Sequence, residues 1–500
     1  MAKALADRGV EYLFGLPGGE IVAFIDACRR AGIRFLLTGH EASAAWMAQV
    51  LGQITGVPGV CCATLGPGAT NLVTGIANAY LDRAPVVAVT AQIPKGQFAT
   101  MTHQRIALDQ LFSPITKASV AFDQIEHAMD LAAAPRPGPV HVTLPSDMAT
   151  QASAGLSPSA AKDSVNTPLD PVIRVLRESQ RPLLLIGLAA TEAVRSLIDC
   201  LQIPFLVTPK AKGLASEDHP LFLGVASGMV IDRDILDTIG AADLVLAVGF
   251  DPVECDKTWF ATTKIVSIDS ASMTEGDYRP VESIGDISEL VSQINIGPKP
   301  WPADLLAQRR AAIVRKPSEG SSPLRVIEEL RSVFPRDGIV TCDVGSHKLA
   351  MGQFWRSYKP GTFFMSNGLS GMGFGVPAAV AAQLAHPSKH VMAVVGDGGM
   401  LMMLHDLVLI RELGLPIVIV VFTDRSLSLI RVSESRKGIA PYGVDFCPPD
   451  FADAAAAFGI ASHRAADIPD ARNAVERALS QRIPFLVDVP IDHREYYDLV

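Results

Sequence analysis

The sequence has no hydrophobic run long enough to cross a membrane. A transmembrane helix needs about 20 consecutive apolar residues, whereas the densest run, LPIVIVVF at residues 415–422, has the length of one strand. The N-terminal segment MAKALADRGVEYLFG lacks the apolar core of a signal peptide. We therefore expect a cytoplasmic protein that makes no contact with membranes.

Cysteine is scarce and positive charge is in deficit. The seven cysteines show no repeated CxxC spacing, which argues against a disulfide framework. Asp and Glu outnumber Lys and Arg by 52 to 43, so the net charge is −9. Such a charge opposes broad contacts with nucleic acid, and we expect no nucleic-acid partner. No GxGxxG follows the opening strand, which disfavours a dinucleotide-binding dehydrogenase.

What the sequence does contain is a regular alternation of short apolar runs and amphipathic helical patterns. RFLLT at residues 34–38 and GVCCATL at residues 59–65 predict strands. Residues 41–53 predict a helix, and GPGATN at residues 66–71 predicts a turn before the next helix. Strand–helix–strand alternation predicts parallel sheets covered by helices on both faces.

The length and the repetition of this pattern predict three domains. Five hundred residues, 49% of them hydrophobic, suffice for about three domains of ~150 residues each. We predict an α/β protein with three doubly wound parallel-sheet domains at residues 1–155, 165–300 and 315–500. Residues 150–170, rich in Ser, Ala and Pro, are interpreted as a linker. Ligands of such sheets bind at the carboxyl ends of the strands.

Two acidic residues at strand ends of the third block give the strongest local signal. GDGG at residues 396–399 follows the strand HVMAVV, and Asp424 ends the next strand, 27 positions after Asp397. One strand–helix–strand unit returns the chain to the same sheet edge, so the two carboxylates are expected to be neighbours. Mg²⁺ prefers such oxygens together with phosphate, and a helix expected to start near Met400 would face the anion. We predict Mg²⁺ ligands at Asp397, Asp424 and the Ser426 carbonyl.

Taken alone, these residues also fit a simple turn and a helix cap, but the motif has a familiar form. GDGG, the spacer and the pair Thr423-Asp424 resemble the thiamine-diphosphate motif of a large enzyme superfamily, whose usual ending is Asn-Asn. Thr38-Gly39-His40-Glu41 resembles the segment that carries the activating glutamate of that superfamily. PGVCCATLGPGATN at residues 58–71 resembles the strand and turn near the pyrimidine of the cofactor.

Further motifs resemble the acetolactate synthase branch, above all its catabolic form that lacks FAD. They are THQRIALDQLFSPITKAS at residues 102–119, GIVTCDVGSH at 338–347, SNGLSGMGFGVPAA at 366–379 and DVPID at 488–492. The resemblance implies thiamine diphosphate and Mg²⁺ as cofactors, with the first domain at the pyrimidine and the third at the diphosphate. It also implies a homodimer or a dimer of dimers. The central block has no glycine cluster after its first strand, so FAD is unlikely and a structural role is expected.

The resemblance implies four catalytic residues. Glu41 would activate the pyrimidine, and Met372 would support the bent cofactor. Gln104 would lie near the substrate, and its neighbour His103 would donate a hydrogen bond or move a proton. The alternatives are a helix-start residue for Glu41, a core methionine for Met372 and an ordinary loop residue for His103.

The implied cofactor contacts occupy both outer domains. They are Pro17, Gly18, Glu41, Pro67, Asn71, Gly345, Ser346, His347, Gly368, Met372, Gly396, Asp397, Gly398, Gly399, Asp424, Ser426 and Leu427. Lys348 departs from the synthase pattern, and its alternatives are a phosphate contact, a substrate carboxylate contact or surface charge.

The reaction expected from the resemblance is decarboxylation of a small 2-oxo acid, such as pyruvate, with carboligation to a second carbonyl. The alternative is a decarboxylase that does not ligate. The chain has no His-His pair, a feature of pyruvate decarboxylases, and this favours ligation. However, residues 427–438 differ from the catabolic synthases, and Arg431 or Arg436 there offers a place for another carboxylate. A binding module without turnover is disfavoured by intact Glu41, Asp397 and Asp424.

Overall fold

Three six-stranded sheets follow one another along the chain, and all strand pairings in them are parallel. This architecture confirms the predicted fold class. The computed structural model describes residues 1–148, 166–226, 233–255, 259–313, 323–497 and 499. Within these ranges, no helix combines the length and the apolar character that a bilayer crossing requires.

The N-terminal sheet has six strands and six helices. The strands are β1 (Tyr12–Leu16), β2 (Arg34–Leu37), β3 (Gly59–Ala63), β4 (Val86–Gln92), β5 (Ala118–Ala121) and β6 (Val140–Pro145). The helices are α1 (Ala2–Asp7), α2 (Val22–Arg30), α3 (Glu41–Thr55), α4 (Pro67–Leu81), α5 (Leu108–Phe112) and α6 (Ile125–Ala133). The strand order is β2-β1-β3-β4-β6-β5. Strands β3 and β4 are buried throughout, as expected for a parallel sheet covered on both faces.

The central sheet has a different strand order. Its strands are β7 (Pro182–Ile186), β8 (Phe205–Val207), β9 (Phe222–Val225), β10 (Leu244–Val248), β11 (Ile265–Asp269) and β12 (Val281–Ile284). The helices are α7 (Asp170–Glu178), α8 (Val194–Leu201), α9 (Arg233–Ala241), α10 (Ile287–Ser292) and α11 (Ala303–Ile313). The order β12-β11-β10-β7-β8-β9 is that of a doubly wound dinucleotide fold.

The C-terminal sheet repeats the order of the N-terminal one. Its strands are β13 (Ile339–Cys342), β14 (Phe363–Met365), β15 (Val391–Gly396), β16 (Ile417–Thr423), β17 (Ala461–Arg464) and β18 (Phe485–Pro490). The helices are α12 (Pro323–Val333), α13 (Ser346–Phe354), α14 (Gly375–Ala385), α15 (Asp397–Met402), α16 (Asp406–Leu413), α17 (Ser428–Arg436), α18 (Phe451–Ala457) and α19 (Ile468–Gln481). The order is β14-β13-β15-β16-β18-β17.

Helix α3 joins the two outer domains by packing against α14. Both helices are rich in alanine, so their backbones approach closely, and one hydrophobic core continues from one domain into the other. The indole of Trp46 is buried at this junction, and a Cβ on Gly373 would lie 3.3 Å from it. The start of α3 is therefore held against the C-terminal domain.

Two local predictions were wrong. Residues 66–71 do not form a separate turn, because α4 already begins at Pro67. Proline is favoured at a first helical position, and Gly66 before it takes a φ of +64°. The helix expected from Met400 begins at Asp397 and is interrupted between α15 and α16.

The domain boundaries stay predictions. Residues 149–165, most of the predicted linker, and residues 314–322 lie outside the described part of the chain. The end of the predicted linker is anchored, since the Thr167 amide donates to the Ile284 carbonyl at the edge of the central sheet (3.0 Å).

Candidate active site

The first half of the site lies between the carboxyl ends of β1 and β3. The chain winds outward from these two strands in opposite directions, which makes their ends the expected ligand crevice of the sheet. Pro17 and Gly18 follow β1. A Cβ on Gly18 would lie 2.5 Å from the Thr64 side chain, which follows β3, so only glycine permits this approach.

Glu41 is the buried acid of this half. It is the first residue of α3, and 4% of its surface is exposed. His40 caps the helix, because its Nδ1 accepts a hydrogen bond from the Ala42 amide (3.0 Å). Asn71 Nδ2 donates to Glu41 Oε2 (2.9 Å), and a Cβ on Gly68 would lie 3.2 Å from Oε1. The absence of a side chain at Gly68 leaves room beside Oε1.

Gln104 and His103 lie on the exposed loop between β4 and α5. Gln104 has a φ of +57° and lies over the start of α4, where a Cβ on Gly66 would be 3.0 Å from Gln104 Cβ. Pro67 and Asn71 belong to the first turns of the same helix. The structure therefore brings Gln104 to the Glu41 half. The His103 side chain is exposed, and no contact of it distinguishes its two interpretations.

The second half lies at the equivalent point of the C-terminal sheet, between the ends of β13 and β15. Gly345 precedes α13, and Ser346 and His347 begin it. A Cβ on Gly396 would lie 3.0 Å from His347 Cε1. Within the described residues, His347 Nε2 and Ser346 Oγ are buried without a hydrogen-bond partner. Burial lowers the pKa of His347 to about 4, so its ring is neutral at physiological pH.

Asp397 and Asp424 follow the neighbouring strands β15 and β16, as predicted from their spacing. The Arg425 amide, next to Asp424, donates to Asp397 Oδ2 at 2.7 Å, which shows how close the two acids lie. Thr423, at the place where the resembled motif has asparagine, donates to Asp488 Oδ1 of β18 (2.5 Å). This departure from the motif therefore keeps a hydrogen bond across the strand ends.

Hydrogen-bond donors surround the two carboxylates. Asp424 accepts from the Ser426 amide (3.0 Å) and from Ser428 Oγ (2.7 Å). Among the residues that the structure describes, no Lys or Arg side chain forms an ion pair with either acid. Burial, followed by repulsion from Asp424, raises the pKa of Asp397 to about 7, and burial also raises the pKa of Asp424. A cation between them would reverse both shifts.

An apolar group surrounds Gly398, next to Asp397. A Cβ on Gly398 would lie 3.2 Å from Met372 Cε, 3.3 Å from Leu427 Cδ2 and 3.8 Å from Phe446 Cζ. Met372 and Leu427 were predicted from the sequence. Phe446 was missed, because it reaches this point only through the pairing of Ser426 with Asp445.

Asp343 was also missed, although it organises the second half. It is buried after β13 and accepts hydrogen bonds from the amides of Gly373 (2.9 Å) and Phe374 (3.1 Å). A Cβ on Gly399 would lie 2.1 Å from Asp343 Oδ2. Asp343 thus ties the loop of Met372 to the start of α15. Its position after a buried strand, on the same sheet edge as Asp397, was the available signal.

Lys348 lies against the glycine-rich loop at residues 367–373, and Gly368 is part of that loop. Lys348 is buried, and its Nζ donates to Ser370 Oγ (2.8 Å), so it is not a surface charge. The Gly368 amide donates to Asp82 Oδ1 (2.8 Å), and a Cβ on Gly368 would meet Leu81 at 2.7 Å. The structure therefore places Gly368 against the end of α4 and not in the group around Asp397.

Both arginines of the divergent segment bind within the protein. Arg431 forms an ion pair with Asp445 (2.5 Å). Arg436 Nη2 donates to the Tyr497 carbonyl (3.3 Å). Arg431 is thus paired with Asp445, whereas Arg436 is exposed and uses one of its N–H groups in this contact.

The structure assembles two half-sites at separate sheet edges of one chain. In the described part of the chain, no hydrogen bond or ion pair connects Glu41 with Asp397, Asp424 or Met372. The same part of the chain contains no group of three His, Cys, Asp or Glu side chains suited to a metal. A cation at Asp397 and Asp424 therefore needs further oxygens from the backbone and from a ligand.

Comparison with known families gives three matches along the chain. The N-terminal TPP binding domain, the central domain and the C-terminal TPP binding domain of thiamine pyrophosphate enzymes match residues 1–111, 169–294 and 343–489.

Three proteins similar to this chain over nearly its whole length are named as acetolactate synthases or as their large subunits. A probable acetolactate synthase large subunit of Methanocaldococcus jannaschii is 31% identical over 100% of this chain and 92% of its own length. Acetolactate synthase of Bacillus subtilis is 30% identical over 100% and 94%. The acetolactate synthase isozyme 2 large subunit of Escherichia coli is 32% identical over 99% and 95%.

Proposed function

The chain belongs to the thiamine pyrophosphate enzymes, and on this premise we propose that it decarboxylates pyruvate and joins the product to a second carbonyl, as an acetolactate synthase. One observation carries the proposal. Equivalent edges of two sheets with the same topology hold complementary groups, a single buried carboxylate at Glu41 and a carboxylate pair beside a neutral histidine at Asp397, Asp424 and His347.

Asp397 and Asp424 are the proposed Mg²⁺ ligands, with the backbone carbonyl of Ser426. The fit rests on two adjacent carboxylates, buried at Asp397 and half-buried at Asp424, that form no ion pair with Lys or Arg in the described residues. It rests also on the raised pKa of both. Mg²⁺ takes hard oxygen ligands in an octahedron and is usually held by one or two carboxylates together with phosphate oxygens and water. A diphosphate would supply the oxygens that the protein lacks.

Ser346 and His347 are the proposed diphosphate contacts. Both have a buried polar atom without a partner in the described residues, and both stand at the N-terminal end of α13. The N-terminal amides of a helix favour an anion. Glycines at 345, 396 and 398 leave the neighbouring backbone open to a close approach.

Thiamine diphosphate, when bound, supplies the nucleophilic carbon and the electron sink that decarboxylation needs. Glu41 is proposed to share a proton with the pyrimidine through Oε1, while Asn71 holds Oε2. Met372 is proposed to support the cofactor, and Leu427 and Phe446 to exclude water beside it. Gln104 is the proposed substrate contact from the opposite half.

The proposed active unit is a homodimer or a dimer of dimers, in which each chain offers one half-site to its partner. Two observations support this. In the described residues of one chain, the Glu41 carboxylate has no hydrogen bond or ion pair with Asp397 or Asp424. Helices α15, α16 and α17 expose the apolar side chains of Met402, Val408 and Ile430.

FAD is proposed to be absent from the central domain. Its crevice between β7 and β10 is filled by backbone, since a Cβ on Gly249 would lie 2.1 Å from the Ala190 amide nitrogen and a Cβ on Gly187 would lie 2.3 Å from Phe250 Cα. A dinucleotide would require this space.

Product analysis tests the proposed reaction. The protein is incubated with pyruvate, thiamine diphosphate and Mg²⁺, without added FAD, and acetolactate and acetaldehyde are quantified. Acetolactate as the main product is the expected result. Acetaldehyde alone would establish a decarboxylase that does not ligate. A panel of other 2-oxo acids would then show which of them it prefers.

A further inference from the structure

The turn between α15 and α16 connects the two half-sites of a single chain. It follows the helix that starts at Asp397, and it presents Met403, His405 and Asp406 to the N-terminal domain. All three of these side chains contact Ser43, at distances of 3.3, 3.1 and 2.9 Å. The interruption of the predicted long helix thus creates a contact with the start of α3.

His405 contacts the chain on both sides of Glu41. A Cβ on Gly39, two residues before Glu41, would lie 2.4 Å from His405 Cδ2, so the imidazole occupies the space that a side chain would take. Two residues after Glu41, Ser43 Oγ lies 3.1 Å from His405 Nε2. The ring therefore fixes the backbone immediately before and after the buried acid.

His405 and Asp406 share Ser43 as a hydrogen-bond partner. Ser43 Oγ donates to Asp406 Oδ2 at 2.9 Å. The same oxygen accepts from His405 Nε2–H in the tautomer that carries its proton on Nε2. Asp406 is buried and its Oδ1 has no hydrogen-bond partner in the described residues, but it lies 3.4 Å from His405 Nε2. The ring orientation is thus set by two polar groups.

We propose that His405 is a positioning residue, which holds Glu41 of its own chain in the geometry needed for proton exchange with the pyrimidine. The inference rests on the proposed function. It adds that the turn after α15, which carries His405, positions Glu41 in the other half-site. Neither Thr38-Gly39-His40-Glu41 nor GDGG predicts this connection.

The test is a double-mutant cycle on the holoenzyme. Gly39→Ala, His405→Ala and the double variant are compared in the rate of C2-proton exchange of thiamine diphosphate, in cofactor affinity and in the melting temperature of the apoprotein. Misplacement of a catalytic group by about 1 Å costs roughly 10²-fold, so this is the fall expected in exchange for Gly39→Ala and His405→Ala. Cofactor affinity should stay at the wild-type value, because Asp397 and Asp424 are unchanged.

Two further variants separate positioning from general damage. His405→Gln keeps an N–H donor for Ser43 and should recover part of the exchange rate. His463→Ala is the matched control, because His463 is 33% exposed and bonded to Asp470, whereas His405 is 29% exposed beside Asp406. The control should exchange at the wild-type rate.

The double variant decides the outcome. It should exchange as fast as His405→Ala, because removing the ring gives the new methyl group its space. A double variant that stays slower than His405→Ala, or a His405→Ala protein that behaves like the control, overturns the proposal. So does a loss of cofactor affinity or melting temperature in proportion to exchange. Normal exchange without acetolactate would refute the proposed reaction and leave this inference standing, whereas a wild type without exchange overturns both.

Discussion

The N-terminal and C-terminal sheets have the same strand order but different chemistry at the equivalent edge. Between β1 and β3 lies one buried carboxylate, Glu41, held by the neutral amide of Asn71. At the C-terminal edge, beyond the ends of β13, β15 and β16, lie the carboxylates of Asp343, Asp397 and Asp424. Beside them is the neutral ring of His347, whose Nε2 has no hydrogen-bond partner in the described residues. The topology sets where a ligand binds, and the residues set which part of it is bound. On the proposed function, the C-terminal edge binds the diphosphate through Mg²⁺, and the N-terminal edge activates the pyrimidine ring.

The largest effect that would break this comparison is expected at Asp397. Replacing Asp397 with alanine removes one of the two carboxylates proposed to bind Mg²⁺ and leaves the other, Asp424. Removing one partner of a buried charge contact costs roughly 2–5 kcal/mol, so we expect cofactor affinity in an Mg²⁺ titration to fall by about the same free energy. Asp424→Asn is the matched control, because its amide oxygen remains a ligand and the loss should be smaller. Full affinity in Asp397→Ala would contradict the assignment of this edge.

The next effect is expected at Asp343, which has no counterpart at the N-terminal edge. Asp343→Ala leaves the buried amides of Gly373 and Phe374 without an acceptor, at about 1–3 kcal/mol for each orphaned group. We expect a lower free energy of unfolding in urea and weaker cofactor binding. Asp343→Asn retains one acceptor oxygen and should lose less. Equal stability of Asp343→Ala and wild type would show that the loop of Met372 is held by other contacts.

The smallest effect concerns Lys348, buried behind the C-terminal edge. Burial lowers its pKa from 10.5 to about 8. Between these two values the unfolded chain binds the proton and the folded protein does not, so the free energy of unfolding rises as the pH increases from 8 to 10.5. The rise should be roughly 3 kcal/mol at 1.36 kcal/mol per pKa unit. Lys348→Met should lack this rise, whereas the exposed control Lys437→Met should keep it. A rise preserved in Lys348→Met would assign it to another group.

The sequence patterns predicted those strands and helices that are determined by residues close together in the sequence. The strands that end at Gly396 and Thr423 are continuous apolar runs, so the position of Asp397 beside Asp424 followed from spacing. The three-sheet architecture followed from the alternation of strands and helices. The sequence pattern also predicted that α3 begins at Glu41.

The contacts that organise the site depend on tertiary structure and were not predictable in this way. The role of Asp343 depends on the return of the loop at Gly373, and that of Phe446 on a bridge between distant segments. The break between α15 and α16 was missed because the apolar pattern continues through it. In the structure, His405 of this turn contacts Gly39 and Ser43 of the N-terminal domain. The spacing between two motifs predicts which strand ends are neighbours in one sheet. It does not predict contacts between distant segments, such as that of His405 with the N-terminal domain.

The central claim, that one edge activates and the other binds, is tested most directly at Glu41. Glu41→Gln is compared with wild type in C2-proton exchange of bound thiamine diphosphate by NMR and in cofactor affinity. General acid–base assistance is typically worth about 10²–10⁴-fold, or ~3–5 kcal/mol of barrier. We expect exchange to fall by this factor while affinity stays near the wild-type value, because binding resides at Asp397 and Asp424. Wild-type exchange in Glu41→Gln would contradict the account and return Glu41 to an ordinary helix-start residue.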